Sequence, residues 1–178
     1  MKPMYAVGLT LAAMLTACGA VARTYTALEL SIPPATAAPQ STMDNDSPIT
    51  RDVRRRLADC LRAPGERAAC VALSADHCPQ DIQIYVCANS EYIVWMDYIG
   101  YYLSVLRAVR RTSYTTFLEQ SQGTWQAYAA AQCDYIGHFW RDIESRLRSM
   151  SVAECKRDEA GRRALGLRAD ILNLETDK

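Results

Sequence analysis

Several things are scarce in this 178-residue sequence, and each scarcity narrows the possibilities. There is no charge excess: 20 Lys and Arg stand against 20 Asp and Glu. That excludes an overall basic nucleic-acid binder and an acidic, salt-adapted shell. There are only two His, no Gly-rich phosphate loop and no nucleophile-elbow motif, so no catalytic set is recognisable. The one apolar run near the N-terminus is too short and too early for an ordinary spanning helix. From Pro48 onward Pro occurs only at 48, 64 and 79, each at a predicted helix boundary. Hydrophobic residues nevertheless make up 49%, too many for a wholly disordered chain. Cysteine is plentiful by contrast: seven residues are many for a cytosolic protein of this size and point to an oxidising compartment.

The first residues read as an address. Lys2 precedes the apolar stretch from Tyr5 to Met14, and Leu15-Thr16-Ala17-Cys18 follows. This is the layout of a signal peptide, and its end resembles the bacterial lipobox, in which cleavage exposes a Cys that takes diacylglycerol. The expectation is a signal peptide over 1–17, lipidation at Cys18, and acyl chains such as palmitate holding the mature protein on an envelope membrane. With Gly19 rather than Asp after Cys18, a host with two membranes would sort it to the outer membrane, facing the periplasm. Loss of 1–17 removes Lys2 and no acid, which takes the formal charge from 0 to −1.

Residues 18–49 have a Pro, Ala, Ser and Thr composition without period, which predicts a flexible tether. A strand around 25–32 is the competing reading there. From residue 50 to 178 the pattern is helical: Thr50 caps a helix over 51–61, and Ala63-Pro64-Gly65 breaks it. A short helix fits 66–74. A long one starts at Pro79 and runs to 111 on a stripe of Ile82, Tyr85, Tyr92, Met96, Ile99, Leu103 and Leu106. Another, capped at Thr112-Ser113, carries Phe117, Leu118, Trp125, Tyr128, Ile136 and Phe139 inward. A last one fits 149–174 with Val152, Leu165, Leu167 and Ile171 inward. The expected fold is all-α, a small disulfide-linked antiparallel helical hairpin or bundle.

With Cys18 set aside for lipid, six Cys remain: Cys60, Cys70, Cys78, Cys87, Cys133 and Cys155. An even number in an exported domain predicts three disulfides. The sequential pairing is favoured. Cys133–Cys155 would span two antiparallel helices joined by a turn at 141–151, while exchange among the first four stays open. A zinc set of Cys70, His77, Cys78 and Cys87 lacks a Cys-x-x-Cys knuckle.

One stretch carries a resemblance. Leu118, Gln122, Trp125, Tyr128 and Cys133, followed by Cys155 and Arg163, with Cys78, Cys87 and Asp97 upstream, resemble the LprI-type lysozyme inhibitor family over about 78–167. The resemblance implies a small exported helical domain without cofactor that binds a protein, lysozyme or another cell-wall hydrolase. Four places differ from the family pattern. Ala129 stands for an Arg, Gly100-Tyr101 for Leu-Asn, Glu144-Ser145 for a Gly-Gly-Ser loop, and Ala160 lies near the place of a Thr. Read bottom-up, the same residues are core packing, with Trp125 at a helix seam and Gln122 too local to take its indole N–H.

Other features point elsewhere more weakly. Asp134, His138 and Asp142 recur every four residues, as a solvated face or a weak metal site would. Arg51, Arg54, Arg55 and Arg56, and the basic run from Arg141 to Arg168, read as solvated faces with internal ion pairs, the alternative being contact with anionic lipid. Tyr92, Tyr98, Tyr101, Tyr102, Tyr114 and Trp140 exceed what one core stripe holds, which points to an exposed aromatic patch. The expected function is that of an anchored envelope lipoprotein, not an enzyme, that binds and blocks a peptidoglycan hydrolase. An assembly lipoprotein and an immunity protein against an envelope-targeted toxin are the alternatives. An acidic cluster would favour the inhibitor, a broad aromatic groove the assembly protein.

Overall fold

The computed structural model describes residues 39, 46–64, 67–80, 82–109 and 112–176. All of them belong to one unit, Ile32–Lys178; the other, Met1–Ser31, contains none. The signal peptide at 1–17, the lipidation site Cys18, the strand at 25–32 and most of the tether at 18–49 lie outside the described residues. Among the described residues the fold is all-α: α1 (Pro48–Arg62), a 3-10 turn (Arg67–Cys70), α2 (Leu73–His77), α3 (Ile84–Val109), α4 (Thr112–Phe139) and α5 (Ser145–Thr176). None of these helices is long and apolar enough to cross a membrane.

Boundaries differ from the sequence reading for identifiable reasons. α1 is capped by Ser47, whose hydroxyl accepts from the Thr50 amide at 3.1 Å, rather than by Thr50. Pro48 then opens the helix, where its missing N–H costs nothing. The single helix expected at 66–74 is two pieces, split at Ala72, which has a φ of 69°. α3 starts at Ile84, not Pro79, because the Ile82 amide closes a turn onto the Pro79 carbonyl and the Cys78–Cys87 bridge holds that turn. α5 starts at Ser145, so the α4–α5 connection is tighter than expected.

The core forms where α1 and α5 pack on α3. Leu57 and Leu61 from α1 meet Val94, Trp95, Tyr98, Ile99, Tyr102 and Leu106 from α3, and Ala160, Ala164, Leu167 and Ile171 complete it from α5. The broadest seam, α3 against α5, joins helices that are not consecutive. It works by size complementarity: α3 supplies rings, and α5 supplies small residues that let its backbone approach. Tyr98 and Tyr102 stack within it at 5.7 Å, so these rings of the expected aromatic patch are core.

Gly161 marks the closest approach. A Cβ there would lie 2.9 Å from Val71 Cγ2 and 3.2 Å from Trp95 Nε1. Gly161→Ala should therefore destabilise by about 1–2 kcal/mol, since overpacking a rigid site outweighs the helix-propensity gain of about 1 kcal/mol. Gly123, with nothing within 4 Å, is the control. Gly123→Ala should stabilise by about 0.5–1 kcal/mol. Thermal unfolding of both variants checks the opposite signs.

Two buried polar centres organise the packing. Arg54, 3% exposed, donates to Asp46 before α1 and to Asp97 on α3, both at 2.8 Å. The Arg51–Arg56 cluster is thus not uniformly a solvated face. Glu91, on α3 and fully buried, accepts three N–H groups: Ala72 at 2.9 Å, Ser74 at 2.8 Å and the Trp95 indole at 3.0 Å.

Candidate functional site

α4 leans on α5 and barely touches α3. Of its described residues only Leu118, Gln122, Cys133 and Gly137 are buried, a seam with steps of four, eleven and four that keep to one helix face. Of the inward stripe expected through Phe117, Leu118, Trp125, Tyr128, Ile136 and Phe139, only Leu118 is buried. Trp125 and Ile136 are half-buried. Phe117, Tyr128 and Phe139 are 69%, 55% and 59% exposed, and Tyr135 is 66% exposed. At about 3.6 residues per turn Phe117, Tyr128, Tyr135 and Phe139 fall within roughly 40° of each other, in a line about 33 Å long. An exposed aromatic patch exists, but it is built from these residues rather than from the tyrosines of α3. Periodicity alone could not tell the two faces of α4 apart, because the outer face is the more aromatic.

Two fasteners hold α4 to α5. One is the Cys133–Cys155 disulfide, Cα–Cα 5.6 Å. The other is Arg163 on α5, whose Nε donates to Gln122 Oε1 at 3.0 Å and whose Nη2 donates to Ser121 Oγ at 3.3 Å. Burial pushes the Arg163 guanidinium below its ordinary pKa, against the pull of Asp170 and Tyr114. Both hydrogen-bonded acceptors are neutral, so its charge is not cancelled at the contact. Beside this pin lies an open groove of about 530 Å³, lined by Phe117, Gln120, Thr124, Trp125, Tyr128 and Arg163.

The other disulfides are Cys60–Cys70, tying α1 to the 3-10 turn, and Cys78–Cys87, at the start of α3. All three pairs are sequential. Trp125, Tyr128 and Arg163 thus line one groove, Gln122 is the buried acceptor that holds Arg163 there, and Leu118 is part of the core. Asp97 does not join them; it holds Arg54 of α1. Gln122 serves Arg163, and Trp95, not Trp125, is the core tryptophan, with Glu91 as its acceptor. The sequence reading missed Glu91. Its signal was an acid in an almost wholly apolar helix, four residues before a Trp. Among the described residues no three His, Cys, Asp or Glu side chains gather as a metal site.

A family model, Lysozyme inhibitor LprI, matches residues 74–167, just over half of the chain. The chain belongs to the LprI lysozyme inhibitor family. No curated protein and no solved structure matches it. The LprI match takes in α2, α3, α4 and most of α5, with the Cys78–Cys87 and Cys133–Cys155 bridges. It leaves out α1 and the Cys60–Cys70 bridge. Asp97 inside the LprI region is therefore held by an arginine from outside it. The family is one of inhibitors of an enzyme.

Proposed function

We propose that this LprI protein binds lysozyme or a related peptidoglycan hydrolase through the outer face of α4 and covers its substrate cleft. The observation that carries the inhibitor reading is the LprI match over residues 74–167; the exposed line of Phe117, Tyr128, Tyr135 and Phe139 beside the Trp125 groove is the surface we assign to it. Aromatic anchors with polar tips dominate protein contacts because they bury much area at little entropic cost. Arg163 adds a cation at the groove edge. Most glycoside hydrolases cut with a pair of carboxylates, and a guanidinium held by neutral partners suits them. α4 carries Glu119 and Asp134 but no Lys or Arg. Glu119 is paired with Arg107 at 2.6 Å, so steering by net field is weak and the rings carry the contact. A lipid on Cys18 would hold the inhibitor at the envelope surface where such hydrolases act, facing the periplasm in a host with two membranes.

An inhibition titration of the oxidised protein at ~0.15 M salt, where non-specific attraction is screened, tests this. Saturable inhibition near one-to-one is expected. Tyr128→Ala should weaken it about 30-fold and Arg163→Ala about 10-fold. The same aromatic face is the feature expected of an envelope assembly protein, the second reading. Absence of inhibition of animal and bacterial lysozymes would transfer the surface to that role.

A further inference from the structure

A second concavity lies away from the aromatic face, where the start of α3, the end of α4 and the start of α5 meet. It is an open cleft of about 380 Å³, large enough for a small molecule, and most of its polar lining residues are exposed. Tyr85 and Asn89 line it from α3, Asp134 and His138 from α4, and Arg148 and Lys156 from α5. The Cys133–Cys155 bridge fixes its walls, with Cys133 itself in the lining. Gly137 also lines it. A Cβ there would lie 3.0 Å from Val152 Cγ2 and 3.8 Å from Arg148 Nε, so the bare backbone lets α4 come down onto the first turns of α5.

The charges are the informative part. Neither Arg148 nor Lys156 belongs to an ion pair among the described residues, which is true of Arg146, Arg163 and Arg168 on α5 as well; Arg148 and Lys156 are the two that line this cleft. Arg162 takes Glu159, Arg157 takes Asp158, and Arg107 takes Glu119. Arg148 and Lys156 stand eight residues apart on one face of α5 and flank a cleft with a single acid. Two cations against Asp134 leave a net positive cleft. A phenol, an amide and an imidazole add directional hydrogen bonds.

We infer that this cleft binds a small polar molecule bearing one oxyanion, a carboxylate or a phosphate. Arg148 and Lys156 pair with the anionic group, charge-assisted contacts that are stronger than neutral ones. Asn89, Tyr85 and Asp134 meet its hydroxyls. Asp134 disfavours bare anions that bring no hydroxyl for it to accept from, which gives the site a preference for a hydroxylated ligand with one anionic group. The site is independent of the α4 outer face, so it stands whether or not that face binds a hydrolase.

The test is an NMR titration of the oxidised full chain at ~0.15 M salt with three probes: D-glucuronate, glucose 1-phosphate and glucose. Saturable shifts at Tyr85, His138 and the first turns of α5 are expected with at least one anion, at a midpoint of about 1 mM or below. Glucose should give none. Preference for one anion assigns the source as an acidic sugar or a phosphate ester. Arg148→Ala and Lys156→Ala should each weaken binding about ten-fold or more, and Arg107→Ala, a paired cation elsewhere, should leave it unchanged. A non-saturating response to both anions, equal binding of glucose, or unchanged affinity in the Arg148 and Lys156 variants would overturn the inference.

Discussion

Glu91→Ala is expected to lower the unfolding free energy by about 3–5 kcal/mol, the largest loss from any single substitution considered. Three N–H donors end on this carboxylate: Ala72, Ser74 and the Trp95 indole. Each orphaned buried donor costs about 1–3 kcal/mol. The penalties do not add in full, because the loop can shift and water can enter. The turn itself would suffer, since Ala72 sits in the left-handed region at φ 69°, a conformation that costs a non-glycine residue about 1–2 kcal/mol and needs support from outside. Glu91→Gln keeps one acceptor oxygen but aims an amide N–H₂ at a backbone donor, so about half the loss should remain. Denaturant unfolding under oxidising conditions measures both. A midpoint shift at constant slope means lost stability, and a loss below about 1 kcal/mol for Glu91→Ala would remove the carboxylate from its assigned role.

Removing the Cys133–Cys155 bridge, as the double Cys→Ser variant, should cost about 3 kcal/mol and should act unevenly. The bridge closes a sequence separation of 22 residues, and chain entropy for a loop of that size gives about 3 kcal/mol. Apart from the bridge, α4 is held by Leu118, the half-buried Trp125, the Arg163 hydrogen bonds to Gln122 and Ser121, the exposed Arg107–Glu119 ion pair and the close approach at Gly137. Helices with so little buried surface open below the global transition. Amide exchange should then show α4 losing protection first, while α3, buried between α1 and α5, keeps its own. Uniform loss of protection across all helices would mean that α4 is part of the cooperative core after all.

The helical class, the long helices, the sequential cysteine pairs and the family were legible in the sequence because each rests on local spacing or on a short pattern. Three things were not. Which face of α4 turns inward was misread: Leu118 was named in the stripe, but the bulkier Phe117, Tyr128 and Phe139 outweighed the quieter Gln122, Cys133 and Gly137 that share its buried face. The α5 seam was partly missed for the same reason: Ala160, Gly161 and Ala164 carry it, and small residues leave no hydrophobic signal. The polar centres at Glu91 and Arg54 depend on groups 17 to 43 residues apart in the chain, a distance at which sequence pattern is silent. The groove beside Trp125 was half legible. Its residues were named from the resemblance, yet their convergence on Arg163 is a fact of tertiary packing.

The division of labour along α4 has an evolutionary consequence. Its inner face carries the residues that hold it in place, and its outer face carries largely exposed rings, of which Phe139 meets Trp140 edge-on. Substitutions at Phe117, Tyr128 and Tyr135 are therefore nearly free of folding penalties, since exposed positions away from packing or capping features seldom change stability by more than about 0.5 kcal/mol. A lineage meeting a new adversary could rewrite that row of side chains repeatedly without first acquiring compensating mutations. Such a helix can diverge quickly while its scaffold stays still, and comparison of descendants should find variation concentrated on the outside of α4 and constancy at Glu91, Gly161 and the cysteines.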